Sequence, residues 1–208
     1  MAVVKLFSGM DFSGKSTTIK SINELMPGIF KCQQKFLTPI QTLQQMIDNG
    51  IWIPRDEFIP VLKEMVRKDL NDYEENALIL QDTLWLIKFN SRLLVDGGND
   101  YAKEINEFIS MIRCYPEMDS FYITASMEER KKRYEKRNQD GGRISRSDKL
   151  LFFKKEFEEV DKYYQEIVCK CFPNTQVIDT TYENTEKIVG NLMKNSSFMS
   201  CMKEVKVV

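Results

Sequence analysis

The stretch "GMDFSGKST" (residues 9–17) decides the fold of this chain. Its first eight residues fit the pattern G-x-x-x-x-G-K-S; the apolar run "AVVKLF" precedes them, and "TIKSINEL", which has helical spacing, follows. Glycine lets the backbone turn tightly, so that successive N–H groups point at phosphate oxygens near the positive end of the next helix. A chance match in a Gly/Ser turn is the alternative, but the flanking strand and helix favour a phosphate-binding loop.

The residue types within this loop predict separate tasks. Lys15 is expected to reach the β- and γ-phosphates of a nucleotide, and the Ser16 hydroxyl to ligate Mg²⁺. We expect Lys15 to be exposed and to make no core contact. The other nucleotide-binding positions predicted from the loop are Gly9, Phe12, Ser13, Gly14 and Thr17.

Length and composition limit the alternatives. A chain of 208 residues with 42% apolar and 29% charged residues predicts one globular domain spanning residues 1–208. The net charge of -1 gives no global attraction to nucleic acid or an anionic membrane. No apolar run approaches the roughly 20 residues that span a bilayer, and no signal-peptide pattern is present, so we expect a cytoplasmic protein.

The cysteines and the missing histidine narrow the chemistry. The five cysteines include no Cys-x-x-Cys, which argues against a disulfide framework or a zinc site. The absence of histidine excludes His-dependent triads and imidazole acid/base catalysis. The groups that remain for catalysis are carboxylates, lysine, arginine and backbone amides. The sequence also lacks Asn-Lys-x-Asp, which argues against a GTPase switch.

Strand-like apolar runs alternate with segments of helical spacing along the chain. This order predicts an α/β fold with a mostly parallel sheet of about five strands flanked by helices. The predicted strands are residues 2–8, 29–36, 77–82, 119–125 and 175–179, and the main predicted helices are residues 15–25, 147–170 and 184–193. Ser126 and Glu129 have the spacing of a capping box that begins another helix. Residues 197–208 have no clear period and predict a loosely held tail.

Asp82 ends the apolar run "ALILQ" and is the predicted metal-binding carboxylate. Open α/β sheets bind ligands at the carboxyl ends of their strands, where Asp82 would emerge beside the loop. A solvated aspartate that caps the next helix is the alternative, because "DTLW" also has the features of a helix start.

A basic segment, Arg130 to Lys155, carries eleven Lys or Arg residues and three acidic ones. The polar loop "NQDGGRISRSD" within it predicts a mobile lid over residues 138–147. Arginines that fold over the site would stabilise the charge that develops in phosphoryl transfer. The candidates for this catalytic role are Arg137, Arg143 and Arg146. A solvated basic helix and a nucleic-acid patch are the alternatives, and the sparse aromatic residues argue against the second.

On these features the sequence resembles the thymidylate kinase family of P-loop nucleoside and nucleotide kinases. "FSGMDFSGKSTT" (residues 7–18) is similar to the family's loop, and "FFKKEFEEVDKYYQEI" (residues 152–167) is similar to its helix after the lid, with Tyr163 or Tyr164 at a characteristic tyrosine. Arg133 and Arg137, one helical turn apart, resemble its paired lid-helix arginines. The resemblance implies a P-loop NTPase fold with a mobile lid, ATP and Mg²⁺ as cosubstrates, and commonly a homodimer.

The resemblance also implies residues that contact the phosphate acceptor. Asp11 matches an acidic residue that contacts the acceptor's sugar hydroxyl, and Phe58 and Arg67 are candidates for the family's base-stacking Phe and the neighbouring Arg. Phe12 stands where some members carry a loop arginine, so the lid would have to supply that charge.

One departure from the family concerns the acceptor directly. The family follows its third-strand aspartate with an arginine that clamps the acceptor's phosphate, and this chain has Thr83. Either another cation takes over this clamp, with Lys88 or Arg92 the nearest in sequence, or the acceptor is less charged than a monophosphate. We therefore predict an ATP- and Mg²⁺-dependent phosphotransferase acting on a small nucleotide or nucleoside-like acceptor. The alternative is a degenerate nucleotide-binding protein that acts through a partner.

Overall fold

The computed structural model describes residues 3–34, 77–84, 118–142 and 156–194, together with residues 73, 75, 87, 106, 110–112, 115 and 198. All structural statements below concern these residues. In chain order the elements are β1 (Val3–Ser8), α1 (Lys15–Leu25), β2 (Lys31–Gln34), β3 (Leu78–Asp82), β4 (Met118–Thr124), α2 (Met127–Gln139), α3 (Glu156–Cys171), β5 (Gln176–Asp179) and α4 (Thr185–Met193).

The five strands form one parallel sheet in the order β2-β3-β1-β4-β5. The predicted fold class is therefore confirmed, and each predicted strand lies within one or two residues of an observed one. β1 is central, with Phe7 opposite Asp82 of β3 on one side and Phe121 of β4 on the other. Because β1 and β3 end side by side, the loop after β1 and the end of β3 meet at the carboxyl edge of the sheet, where such folds bind ligands.

Two hydrophobic cores cover the two faces of the sheet. Alternate residues of a strand point to opposite faces, and Leu6 and Phe7 of β1 accordingly belong to different cores. The Leu6 core includes Tyr164 and the other apolar residues of α3, and the Phe7 core includes residues of α1 and α4 such as Ile22. Both faces are buried, as expected for a parallel sheet.

α2 begins where the capping box predicts a helix start. The Ser126 hydroxyl accepts a hydrogen bond from the Glu129 amide at 3.2 Å, which confirms the predicted helix start. The helix continues to Gln139 with Asp140 as its C-cap. The first two residues of the predicted lid, Asn138 and Gln139, are therefore helical. Residues 143–147, the rest of the predicted lid, lie outside the described residues.

Phe198 corrects the prediction of a loose tail from residue 197. Its side chain is fully buried in the Phe7 core and lies 5.6 Å from the ring of Phe121 and 6.1 Å from that of Phe30, measured between centroids. Its ring also contacts the ammonium of Lys5, a buried β1 residue that pairs with Asp119. The chain is thus anchored at Phe198, a contact that the aperiodic sequence around it does not reveal.

Every helix in the described part of the chain is too short or too polar to cross a membrane.

Candidate phosphate-binding site

Two glycines give the loop between β1 and α1 its path. Gly9 has φ +144°, and a Cβ at this position would lie 2.2 Å from the carbonyl oxygen of Ile123 in β4. Gly14, the N-cap of α1, has φ +97°. Side chains are strained at both positions, and at Gly9 there is no space for one. The loop therefore lies directly against the end of β4 and leads into the amino terminus of α1.

Asp82 brings together the two loop residues that carry the predicted phosphate chemistry. Its Oδ1 lies 2.9 Å from the ammonium of Lys15, and its Oδ2 accepts a hydrogen bond from the Ser16 hydroxyl at 3.1 Å. Lys15 is only 9% exposed, so the expectation of an exposed lysine without interior contacts is wrong. The reason is this ion pair, which turns the side chain inward. Asp82 is likewise buried, unlike a solvated capping aspartate.

The Asp82 carboxylate is held in its charged form. Burial by itself would raise its pKa, but the charge of Lys15 and hydrogen bonds from Lys15, Thr83 and Ser16 outweigh burial and lower the pKa below its ordinary value of 3.8. An ionised carboxylate beside a hydroxyl is a set of hard oxygen donors, which is the type that Mg²⁺ prefers. Ser16 and Asp82 therefore fit a magnesium site.

Thr83, the residue that stands in place of the family arginine, has an unusual backbone. Its φ is +67°, a region that is sterically costly for a β-branched residue. Its amide donates to the carbonyl oxygen of Phe7 at 2.8 Å, and its hydroxyl donates to Asp82 Oδ1 at 2.9 Å. Thr83 is only 2% exposed, so its side chain faces Asp82 rather than an open acceptor site.

Tyr164 of α3 reaches the same place from the other side of the sheet edge. Its hydroxyl is fully buried and lies beside the Ser8 hydroxyl, the Gly9 amide and Thr83, without a hydrogen bond of ordinary geometry among the described residues. Burial raises its pKa well above the ordinary value. The phenol is therefore neutral. Of the two tyrosines suggested by the resemblance, Tyr164 is the one at the loop.

Two arginines of α2 contact the phosphate loop at Phe12. Arg133 Nη1 donates to the Phe12 carbonyl oxygen at 3.2 Å, and the Arg137 guanidinium lies 5.0 Å from the centroid of the Phe12 ring. The ring also packs edge-on against Tyr134 at 5.3 Å. Arg133 and Arg137 do share a face, as their spacing predicts, and that face lies on the loop. In this conformation the Phe12 ring packs against α2.

Thr180, just after β5, is a residue of the site that sequence reasoning missed. Its hydroxyl donates to the Ser13 carbonyl oxygen at 2.7 Å, and it accepts from Arg133 Nη1 at 2.9 Å. Arg133 Nη2 also donates to the Thr180 carbonyl oxygen at 2.7 Å. These bonds join the loop, α2 and the end of β5. The only available signal was the place of Thr180 at the carboxyl end of a strand.

Arg130, counted in the predicted basic segment, is an interior residue. It is 1% exposed, and its guanidinium donates to the Ala125 carbonyl oxygen at 2.8 Å, to the Thr124 hydroxyl at 2.9 Å and to Asp161 at 2.7 Å. Asp161 also accepts from the Tyr122 hydroxyl at 2.6 Å. Arg130 therefore joins α2, β4 and α3, and its charge is not part of a solvated basic face.

The remaining predicted residues are distributed as follows. Asp11 is half-buried in the loop, and Thr17 is exposed in the first turn of α1. The other six candidates lie outside the described residues, namely Phe58, Arg67, Lys88, Arg92, Arg143 and Arg146.

The chain is similar to solved structures of nucleotide and nucleoside kinases. Deoxyadenosine kinase from M. mycoides with bound dATP has a TM-score of 0.60 and 14% identity over 93% of this chain and 97% of that one. The same enzyme with the products dCMP and dCDP has a TM-score of 0.59 and 15% identity, and the match covers 93% of this chain and 96% of that one. Thymidylate kinase from Candida albicans has a TM-score of 0.56 and 14% identity, and the match covers 93% of this chain and 90% of that one. No protein-family model matches the chain, and neither does any curated protein.

These likenesses confirm the family resemblance at the level of the fold. The parallel sheet order, the glycine loop after the central strand and the helix that follows agree with them. The chain has the α/β P-loop NTPase fold of thymidylate kinases and deoxynucleoside kinases.

Proposed function

We propose that this protein is an ATP- and Mg²⁺-dependent phosphotransferase that moves the γ-phosphate of ATP to a small nucleotide or nucleoside-like acceptor. The observation that carries the proposal is the convergence of Lys15 and Ser16 on the ionised carboxylate of Asp82, at the carboxyl edge of the sheet. A cation, two oxygen groups that could bind Mg²⁺ and the loop amides lie in one place, which supports a phosphate-donor site.

The loop residues would act by binding and orienting the triphosphate. The amides from Gly9 to Ser16 and the amino terminus of α1 attract phosphate oxygens. Lys15 would turn from Asp82 toward the β- and γ-phosphates, because their larger negative charge attracts the ammonium more strongly than one carboxylate does. Ser16 and Asp82 would then hold Mg²⁺, which supplies charge neutralisation to the phosphates when bound.

The acceptor is proposed from two features of the same edge. Asp11 lies in the loop where the family resemblance assigns contact with a sugar hydroxyl, and the enzyme from M. mycoides, which shares this fold, binds deoxynucleotides. Thr83 carries no charge with which to clamp an acceptor phosphate.

We further propose Arg143 and Arg146 as lid cations, a single domain spanning the chain, a cytoplasmic location and a homodimeric state, all of which rest on sequence and resemblance.

The test is ADP formation from ATP and Mg²⁺ with a panel of nucleosides and nucleoside monophosphates, with the phosphorylated product identified by chromatography. The expected result is ADP release that depends on one class of added acceptor. Asp82→Asn should abolish it, whereas Lys20→Ala, on the exposed side of α1, should not.

The alternative function, nucleotide binding without turnover, gives a different pattern. ATP would bind with Mg²⁺, Lys15→Ala would weaken that binding, and no acceptor in the panel would produce ADP above the rate without acceptor. Failure of the wild-type chain to bind ATP at all would contradict both functions.

A further inference from the structure

We propose that Thr83 is a positioning residue, whose hydroxyl, held in place by a left-handed backbone, fixes the Asp82 carboxylate with one oxygen toward Lys15 and the other toward Ser16. The inference deepens the proposed function and rests on it for its consequence in Mg²⁺ binding. It gives a role to the position at which this chain departs from the family.

The two carboxylate oxygens of Asp82 have different partners. Oδ1 lies 2.9 Å from the Lys15 ammonium and accepts a hydrogen bond from the Thr83 hydroxyl at 2.9 Å. Oδ2 accepts a hydrogen bond from the Ser16 hydroxyl at 3.1 Å. A carboxylate on a short side chain can rotate about χ2, which is a soft torsion. A second donor on Oδ1 that belongs to the neighbouring residue restrains that rotation, and it remains in place when Lys15 moves to a phosphate.

The backbone of Thr83 is costly and is held from both ends. A β-branched residue at φ +67° is strained and persists only where its surroundings determine it. The Thr83 amide donates to Phe7 at 2.8 Å, and its carbonyl oxygen accepts from the Gln81 side chain at 3.2 Å. The hydrogen bond from the Thr83 amide continues the β1–β3 pairing by one residue, and at the positive φ of Thr83 the hydroxyl donates to Asp82.

The surroundings of Thr83 protect this hydrogen bond from water. Thr83 is almost completely buried, and the buried hydroxyls of Tyr164 and Ser8 lie beside it. A hydrogen bond to a charged oxygen in such a place is stronger than one in water. Partners that orient a metal ligand in this way typically contribute about 10- to 100-fold to metal affinity.

The test uses substitutions that separate the hydroxyl from the backbone strain. Thr83→Val keeps the shape and the strain and removes the hydroxyl, Thr83→Ser keeps the hydroxyl, and Thr83→Gly removes both the hydroxyl and the strain. Thr175→Val is the matched control. It also removes a hydroxyl that donates a hydrogen bond, here to a backbone carbonyl oxygen, but Thr175 lies just before β5, at the edge of the sheet opposite to the site.

The first measurement is the crystal structure of each variant without nucleotide. In Thr83→Val, or in Thr83→Gly if Val does not fold, we expect the Asp82 carboxylate to rotate so that it loses its contact with Ser16 or Lys15. Thr83→Ser and Thr175→Val should retain both contacts. An unmoved carboxylate in the variants without the hydroxyl would overturn the inference, whether or not the protein transfers phosphate.

The second measurement is the Mg²⁺ concentration that gives half-maximal binding of a fluorescent ATP analogue. We expect it to rise about tenfold in Thr83→Val and Thr83→Gly, and to stay at the wild-type value in Thr83→Ser. An equal midpoint in all variants would contradict the positioning role. If the wild-type chain bound no analogue, the proposed function would fail, and the carboxylate positions would still decide the role of Thr83.

Discussion

The guanidinium of Arg137 lies over the ring of Phe12, 5.0 Å from its centroid, while one turn earlier Arg133 donates to the carbonyl oxygen of the same residue. Phe12 itself has φ +62°, so α2 holds a strained residue of the phosphate loop from two directions. α2, which carries the first part of the basic segment, is therefore joined directly to the loop. A movement of α2 would change the contacts that hold Phe12.

Replacing Lys15 with Ala should weaken ATP binding and also destabilise the fold. The loss leaves the buried Asp82 carboxylate without its cation, which should cost about 1.5–3 kcal/mol at pH 7. The pKa of Asp82 is lower in the folded chain than in the unfolded one, so its ionisation stabilises the fold above pH 3.8, and this stabilisation is lost as the pH falls below that value. Urea denaturation should show the difference from wild type shrinking with acid. Lys20→Ala is the matched control, and equal stability of the two variants at pH 7 would contradict the ion pair.

Replacing Gly9 with Ala should disrupt the loop, because the added Cβ would meet the Ile123 carbonyl oxygen of β4. Either the strand pairing or the loop must shift, at about 3 kcal/mol or more of unfolding free energy. Gly190 provides the comparison, since a Cβ there meets nothing within 4 Å in helix α4, and Gly190→Ala should stabilise by about 0.5–1 kcal/mol. Thermal denaturation of both variants measures this contrast, and a stable Gly9→Ala variant that binds ATP would refute the loop geometry.

Replacing Arg130 with Met should be strongly destabilising even though the residue lies in a basic segment. The change leaves Asp161 without its buried cation and is expected to cost roughly 3–5 kcal/mol. Lys132→Met on the exposed side of the same helix should leave stability almost unchanged. Equal effects of the two substitutions in chemical denaturation would show that Arg130 has no structural role.

Arg143→Ala and Arg146→Ala test whether the lid supplies charge to the transferred phosphate. Phe12 cannot supply it, and Arg133 is engaged with Thr180 and the loop. We expect a fall in kcat of roughly 100-fold or more in at least one variant, with little change in ATP affinity. Lys136→Ala, at an exposed position of α2, is the control. Full kcat in both arginine variants would remove the lid from the mechanism.

Thymidine monophosphate is expected to be a weak acceptor. Thr83 replaces the arginine that would pair with its phosphate, and loss of one charge-assisted contact of about 1.5–3 kcal/mol lowers affinity about 10- to 150-fold. The Thr83 hydroxyl is also engaged with Asp82. Steady-state kinetics with thymidine and thymidine monophosphate measure the preference directly, and kcat/KM of about 10⁴ M⁻¹s⁻¹ or above on the monophosphate would contradict it.

The features predicted well from the sequence are those that depend on local patterns. Gly9 and Gly14 identify a loop because few other residues adopt its backbone, and apolar runs such as 77–82 identify strands. Asp82 is predictable as a site residue because it lies at the carboxyl end of a strand. These three signals are each contained in a few neighbouring residues.

The features missed depend on contacts between distant parts of the chain. The inward turn of Lys15 requires Asp82, 67 residues later, and the role of Thr180 requires Ser13, 167 residues earlier. Arg130 carries the same charge as its exposed neighbours Lys131 and Lys132, and only its contact with α3 shows that it is interior. No periodicity within a single segment contains this information.

The anchoring of Phe198 has a consequence for how the chain folds during its synthesis. The Phe7 core joins residues of the first 30 positions to a ring nearly 170 residues later in the chain. Contacts between such distant residues require a long loop to close, which slows folding. The core is therefore completed only after Phe198 has been synthesised, and until then the rings of Phe30 and Phe121 lack the ring that packs against them.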